Sequence, residues 1–295
     1  MGRMPHAHCN DIEICYDTLG DPAHPTVLLV MGLGAQLTGW TDDWCSNLVA
    51  HGLHVVRYDN RDAGLSGKLD GVAVDLAAVM AAWAGTGEMP PVPYLLGDMA
   101  ADGIALLDHL GIERAHIVGA SLGGMIVQTM AIDHPTRVAS LTSIMSTTGE
   151  PAFYETDQAV RARLFRPPAT SREEAIANAV DTWRALGAPK YFDEAAATAR
   201  AAAAYDRSFY PEGVARQTAA IRASGSRDAA LAMLDVPTLV IHGRQDRLIF
   251  PSGGVHTAEV VPGADLLLVH HMGHDLPAPL VPFLTAAIAG HIGRA

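Results

Sequence analysis

The residues best placed to do chemistry begin with a serine. Ala115-His116-Ile117-Val118-Gly119-Ala120-Ser121-Leu122-Gly123-Gly124-Met125 is a short apolar run, then G-x-S-x-G, then a helix-forming stretch. A serine held at a sharp strand-to-helix turn needs residues without bulk two places before and after it, which Gly119 and Gly123 supply. Its hydroxyl ionises far above neutral pH, so it attacks a carbonyl only with a base beside it. Ser121 is therefore expected to be a nucleophile whose partners lie elsewhere in the chain. Gly64-Leu65-Ser66-Gly67 and Ser224-Gly225-Ser226 do not repeat the pattern.

In an open sheet of this kind an orienting acid belongs just past a later strand, where the carboxyl edge gathers the site. Asp246 follows the apolar run Pro237 to Ile241 in that way, whereas Asp235 lies at the opposite end of the run and Glu150 follows an earlier strand after a longer loop. His274, in His270-His271-Met272-Gly273-His274-Asp275, completes the order Ser, Asp, His. His270 and His271 directly continue the preceding strand, while His274 has a glycine before it. A neutral imidazole can take the serine proton on one nitrogen while Asp246 fixes its tautomer through the other. The three histidines lack a carboxylate or cysteine at ligand spacing, so no metal and no cofactor is expected. An oxyanion would need two fixed N–H donors, and Leu122, after the serine, and Leu33, in Met31-Gly32-Leu33-Gly34, are the expected pair.

These groups must be carried by elements that meet at one edge. Thr26 to Met31, Leu53 to Tyr58, Ala115 to Val118, Val138 to Ile144, Val236 to Ile241 and Ala264 to Val269 read as strands buried on both faces, the mark of a parallel sheet. Ile12 to Tyr16 alternates and reads as an antiparallel edge strand. Asp98 to Leu110 and Leu122 to Asp133 read as helices between strands. The expected fold class is α/β, a mostly parallel, doubly wound sheet. From about Ser146 to about Asp235 the rhythm changes to Ala- and Arg-rich helices broken at Pro167-Pro168, Gly187-Ala188-Pro189 and Pro211. Residues 1–145 and 231–295 are expected to form the core, with 146–230 a helical cap inserted between two strands.

The 295 residues carry a net charge of −12, yet Glu150 to Ala230 holds eleven acids against ten Arg and one Lys, so the deficit lies in the flanking segments. An acidic surface repels phosphate backbones and anionic headgroups, which argues against nucleic acid or polybasic membrane attachment. Cys9, Cys15 and Cys45 are odd in number and are expected as free thiols. Met1 to Asn10 lacks the apolar stretch of a signal peptide and no run approaches the roughly 20 residues of a membrane span, so no stable membrane insertion and a cytoplasmic location are expected. The sequence does not specify an oligomeric state.

Taken together, VMGLGAQLTGW (Val30 to Trp40), RYDNRDAGLSG (Arg57 to Gly67), DMAADGIALLDHLGIERAHIVGASLGG (Asp98 to Gly124), PTLVIHGRQDRLIFP (Pro237 to Pro251) and MGHDLP (Met272 to Pro277) resemble the α/β-hydrolase superfamily. Within it they are similar to bacterial esterases of the aclacinomycin methylesterase kind and to carboxylesterase and lipase-type proteins. The resemblance implies the α/β-hydrolase fold and cleavage of a carboxylic ester through an acyl-enzyme. Many relatives have His where this chain has Met31, a departure expected to affect the orientation of the loop rather than the main-chain donor. Asp59, Arg61 and Asp62 also match, and read as loop-ordering ion pairs. Apolar residues beside the reacting groups (Met125, Met145, Ile249, Phe250) and aromatic ones (Trp40, Trp183, Phe209, Tyr210) are the expected pocket lining, for a moderately large apolar ester. No cation is evident to hold a substrate carboxylate unless a cap Arg turns inward. A lactonase, thioesterase, C–C bond hydrolase or cofactor-free perhydrolase could use the same three residues, and a ligand-binding receptor could use the same scaffold.

Overall fold

The computed structural model describes residues 4–154, 156–164 and 166–295. Eight strands are present among these: β1 (His6–Cys9), β2 (Ile12–Leu19), β3 (Thr26–Val30), β4 (His54–Tyr58), β5 (Ala115–Ala120), β6 (Val138–Ile144), β7 (Thr238–Gly243) and β8 (Asp265–Val269). They form one sheet in the order β1-β2-β4-β3-β5-β6-β7-β8, with β1/β2 and β2/β4 antiparallel and every other pair parallel. The segment Ile12 to Tyr16 is therefore second in the sheet: β1, a further strand, lies outside it. His6–Cys9 is too short to show a strand period on its own.

β3 (TVLLV) and β4 (HVVRY) are buried along their whole length because both faces of the sheet are covered. Side chains alternate between faces along a strand. Leu28 and Val30 enter one apolar cluster with α3 (Leu96–His109), α4 (Leu122–Asp133) and α10 (Pro251–Val260). Val27 and Leu29 enter the other with α1 (Asp42–Ala50) and α11 (Val281–Ile292). Burying each such side chain contributes about 1.5–3 kcal/mol, so the two clusters fix the sheet's register. β8 departs from the two-faced expectation. As the edge strand it leaves Leu266 and Leu268 open, and only Leu267 and Val269 pack inward.

Parallel pairing aligns the carboxyl ends of the strands. Val30 pairs with Gly119, Ala120 with Ile144, Ile144 with Ile241 and Gly243 with Val269. The turns after β3, β5, β6, β7 and β8 consequently rise from one edge. Between β4 and α3 lies α2 (Leu76–Trp83). Between β6 and β7 the described residues hold only helices: α5 (Gln158–Leu164), α6 (Arg172–Leu186), α7 (Glu194–Arg207), α8 (Pro211–Ser224) and the short α9 (Asp228–Leu231). Ser171 and Asp193 accept from backbone N–H groups at the starts of α6 and α7, and Pro211 opens α8 where no N–H is needed. Among the described residues no helix is long and apolar enough to cross a membrane.

Candidate active site

The turn joining β5 to α4 is strained in the way its sequence requires. Ser121 has φ 57° and ψ −117°, outside the usual regions for a residue with a side chain. A Cβ on Gly119 would overlap the Gly123 carbonyl, and one on Gly123 would overlap the carbonyl of Val30. Only glycine permits this approach of α4 to the sheet. Ser146 secures the turn from β6 by donating its hydroxyl to the Ser121 carbonyl at 2.8 Å.

Three side chains meet at the carboxyl edge. His274 Nε2 lies 2.9 Å from Ser121 Oγ, and its Nδ1 lies 2.7 Å from Asp246 Oδ2. The carboxylate can only accept, so Nδ1 carries the proton and the Nε2 lone pair faces the serine hydroxyl. The arrangement can take the hydroxyl proton onto Nε2 as Oγ attacks an electrophilic carbon. Asp246 accepts on its other oxygen from the N–H groups of Leu248 and Ile249, at 2.9 and 3.0 Å. Burial alone would raise the Asp246 pKa, but attraction to His274 in its protonated form and hydrogen bonds from His242 and His274 outweigh it and hold it at about 2.

The histidine loop is fixed from two sides. A Cβ on Gly243 would overlap the Met272 and Gly273 carbonyls, and the His274 N–H donates to Leu186 O, at the end of α6, at 2.8 Å. His271 has φ 59° and packs against Tyr191 and His270. Asp275, beside His274, is pushed up to about 6 by burial, although Gly273 and Ala188 donate backbone hydrogen bonds to it.

The turn after β3 lies directly over the serine. A Cβ on Gly32 would sit 3.2 Å from Ser121 Cβ and 3.7 Å from Oγ. Asn60 holds Met31 O at 2.8 Å, and Gly34 turns the chain with φ 65°. Leu33 is 37% exposed on this turn, while Leu122 is buried at the start of α4.

Of the expected pocket residues, Met125 lies one turn into α4, where Tyr154 Oη donates to its sulfur at 3.8 Å. Met145 follows β6 with φ 42°, and Ile249 is tied to Asp246 through its amide. Phe250 precedes α10 and is half-buried. The other four have different surroundings. Trp40 is fully buried against Trp44 in the cluster on the α1 face, because the sheet must fill that side with bulk. Trp183 and Phe209 line a groove of about 270 Å³ with Pro167, Pro168 and Pro211, to which Ser121, Asp246 and His274 do not contribute, and Phe209 is 46% exposed. Tyr210 donates to Asp70 and accepts from Arg216. Tyr210 thus serves the junction between helices and sheet.

Inward arginines do occur. Arg216 grips Asp62 through two bonds of 2.8 Å, Arg227 bonds Gln128 and Thr147 O, and Arg222 lies between the Trp83 and Tyr154 rings, 4.1 Å from each centroid. The loop ion pairs take the form the sequence suggests: Arg61 with Asp102, Asp62 with Arg216, and Asp59 with Arg207. Sequence reasoning missed His242, whose Nε2 donates to Ile249 O at 2.9 Å and lies 3.3 Å from Asp246 Oδ2. Its position four residues before Asp246, at the end of a buried strand, was a usable signal. It also missed Gln217, fully buried in α8 with its amide on the turn after β3, for which the sequence carries no signal.

The alpha/beta hydrolase fold family matches residues 25–277, and the chain belongs to that family and is a hydrolase. It is similar to a rhodomycin D methylesterase of Streptomyces peucetius, 30% identical over 96% of this chain and 95% of that one. A putative carbamate hydrolase of Pseudomonas syringae pv. syringae is 28% identical over 89% of this chain and 92% of that one. Among solved structures, a meta-cleavage product hydrolase from Pseudomonas fluorescens IP01 superposes with a TM-score of 0.78 at 18% identity, covering 98% and 97% of the two chains. At that identity the likeness shows the fold alone.

Proposed function

We propose that the chain is a serine carboxylesterase in which Ser121 is the nucleophile, His274 the general base and Asp246 the orienting acid. The reading is carried by the unbroken relay Ser121–His274–Asp246, with bonds of 2.9 and 2.7 Å. As Oγ attacks the ester carbon, its proton passes to Nε2. The carbonyl π pair moves to oxygen, where the Leu33 and Leu122 amides receive it. Collapse expels the alcohol, which takes the proton from His274, and water then repeats the sequence on the acyl-enzyme.

The region 146–230 acts as a cap over this site. The similarity to methylesterases favours esters, and the apolar surroundings supplied by Met125, Met145 and Ile249 favour a moderately large acyl group or alcohol. A fluorophosphonate probe tests the nucleophile, with stoichiometric labelling expected on Ser121 and none on Ser121→Ala. A panel of methyl esters, carbamates, lactones and thioesters tests the bond cleaved, with kcat/KM highest for esters. A preference for carbamates would move the chain to the second group of relatives.

A further inference from the structure

Helices of the insertion hold the turn that carries Leu33, and they do so through buried side-chain amides. Gln217, on α8, accepts from the Gly34 N–H through Oε1 at 2.8 Å and donates through Nε2 to the Arg61 carbonyl at 2.8 Å. One partner is a donor and the other an acceptor, so a single orientation of the amide satisfies both. Gln36 makes the reciprocal grip from the core, donating to Ala204 O and Ser208 O of the α7 end at 2.7 and 2.9 Å and accepting from Arg207 at 2.6 Å. Arg207 continues to Asp59 Oδ2 at 2.8 Å, and Asp59 Oδ1 accepts from Leu37 N at 2.7 Å. Gln217 and Asp59 thus hold the segment at Gly34 and Leu37, with Gln36 tied to α7 between them.

Space allows nothing else at this contact. A Cβ on Gly34 would stand 2.8 Å from the Val214 side chain, and one on Gly213 would overlap the Asp62 carbonyl. The Leu33 amide therefore sits one residue from a peptide whose N–H is anchored in α8. Ala35 N–H closes this turn on Gly32 O at 3.1 Å, but Gly34, with φ 65°, has little intrinsic preference among conformations, so the Gln217 bond adds to what fixes the turn's direction.

We propose that Gln217 is a positioning residue for the proposed oxyanion donor at Leu33, so that the insertion contributes to the chemical step as well as covering the substrate. The inference rests on the esterase reading given above. A donor aimed at the developing oxyanion acts only if its direction is fixed before charge appears, and deleting one outright costs about 10²–10³ in kcat. A donor merely loosened should cost less. Such a loss belongs to the transition state, not to substrate binding.

The test is Gln217→Leu, which keeps the bulk and removes both hydrogen bonds, compared with Gln217→Glu, which keeps an acceptor for Gly34. For the Leu variant, kcat on a p-nitrophenyl ester should fall ~10- to 100-fold with KM within about twofold. Affinity for an alkyl trifluoromethyl ketone, which adds Ser121 Oγ and leaves an oxyanion in the same place, should fall by a similar factor. The Glu variant should retain more of both. If neither kcat nor ketone affinity changes in Gln217→Leu, the proposal is overturned; it is equally overturned if KM alone rises. Should the Leu variant fail to fold, Gln217→Met, which keeps the length of the side chain and removes both hydrogen bonds, decides: a loss confined to KM, or none, rejects the positioning role. If fluorophosphonate fails to label Ser121 in the unaltered protein, the esterase reading has failed and not merely this addition to it.

Discussion

At the carboxyl edge of the sheet, the turns carrying Ser121 and Asp246 take their shape from residues close in sequence: Gly119 and Gly123 around the serine, Leu248 and Ile249 around the acid. The insertion is held differently. Its helices are Ala-rich and start from ordinary caps, but their seat on the core depends on pairs far apart in the chain, Arg216 with Asp62, Arg207 with Asp59 and Gln217 with Gly34. The insertion is bonded to the turn after β3 and, through Leu186, to the histidine loop. The local encoding of the edge and the long-range anchoring of the insertion should fail in different ways when perturbed.

The largest effects belong to the edge. Ser121→Ala should lower kcat on the order of 10⁵-fold, and Asp246→Asn roughly 10⁴-fold by favouring the wrong imidazole tautomer, with thermal unfolding showing an intact fold for the serine variant. Glu150→Gln should remain active; if it is dead while Asp246→Asn turns over normally, the acid has been misassigned.

The anchor comes next. Arg216→Met leaves Asp62 buried with its charge uncompensated, and should destabilise by about 3 kcal/mol or more in urea titrations. Arg172→Met removes an exposed bond to Asp206 and should leave the urea midpoint where it was. Equal midpoints for the two variants would mean that the buried junction does not hold the insertion in place.

Protons separate the regions more gently. Asp246 has its pKa lowered from 3.8 to about 2, so its contribution to stability is complete above 3.8 and disappears as pH falls through 2. Asp275, at the contact with the end of α6, has its pKa raised to about 6, so its ionisation weakens the fold as pH rises from 3.8 through 6. Asp275→Asn should consequently raise Tm at pH 8 more than at pH 4.5. No pH dependence in that gain would remove the strain assigned to this contact.

The smallest effect should come from Trp183→Ala with Phe209→Ala. Because both line a groove outside the relay, the dependence of kcat/KM on acyl chain length should be preserved. A flattened profile would return those rings to the substrate site and restore the expectation made from sequence.

Much of the candidate site's geometry was legible because it is written in short segments. A glycine two residues on either side of Ser121, an acid one turn past a buried strand and a histidine after the next strand each reflect a backbone requirement satisfied locally. Parallel strands then align those segments at one edge whatever the side-chain details. The pocket was not legible. Aromatic residues serve packing and recognition equally well, and composition cannot tell Trp40 in the core from a ring facing substrate. The sequence by itself determined the chain order of the strands β2 to β8, the glycine pattern around Ser121 and the relative order of Ser121, Asp246 and His274. Tertiary structure alone decided that His242 would support Asp246, that Arg216 would turn inward to Asp62, and that Gln217 would reach Gly34 across 183 residues. Those partners are chosen by the packing of α7 and α8 on the sheet, and a side-chain amide or guanidinium carries no mark in the sequence of which distant group it will meet.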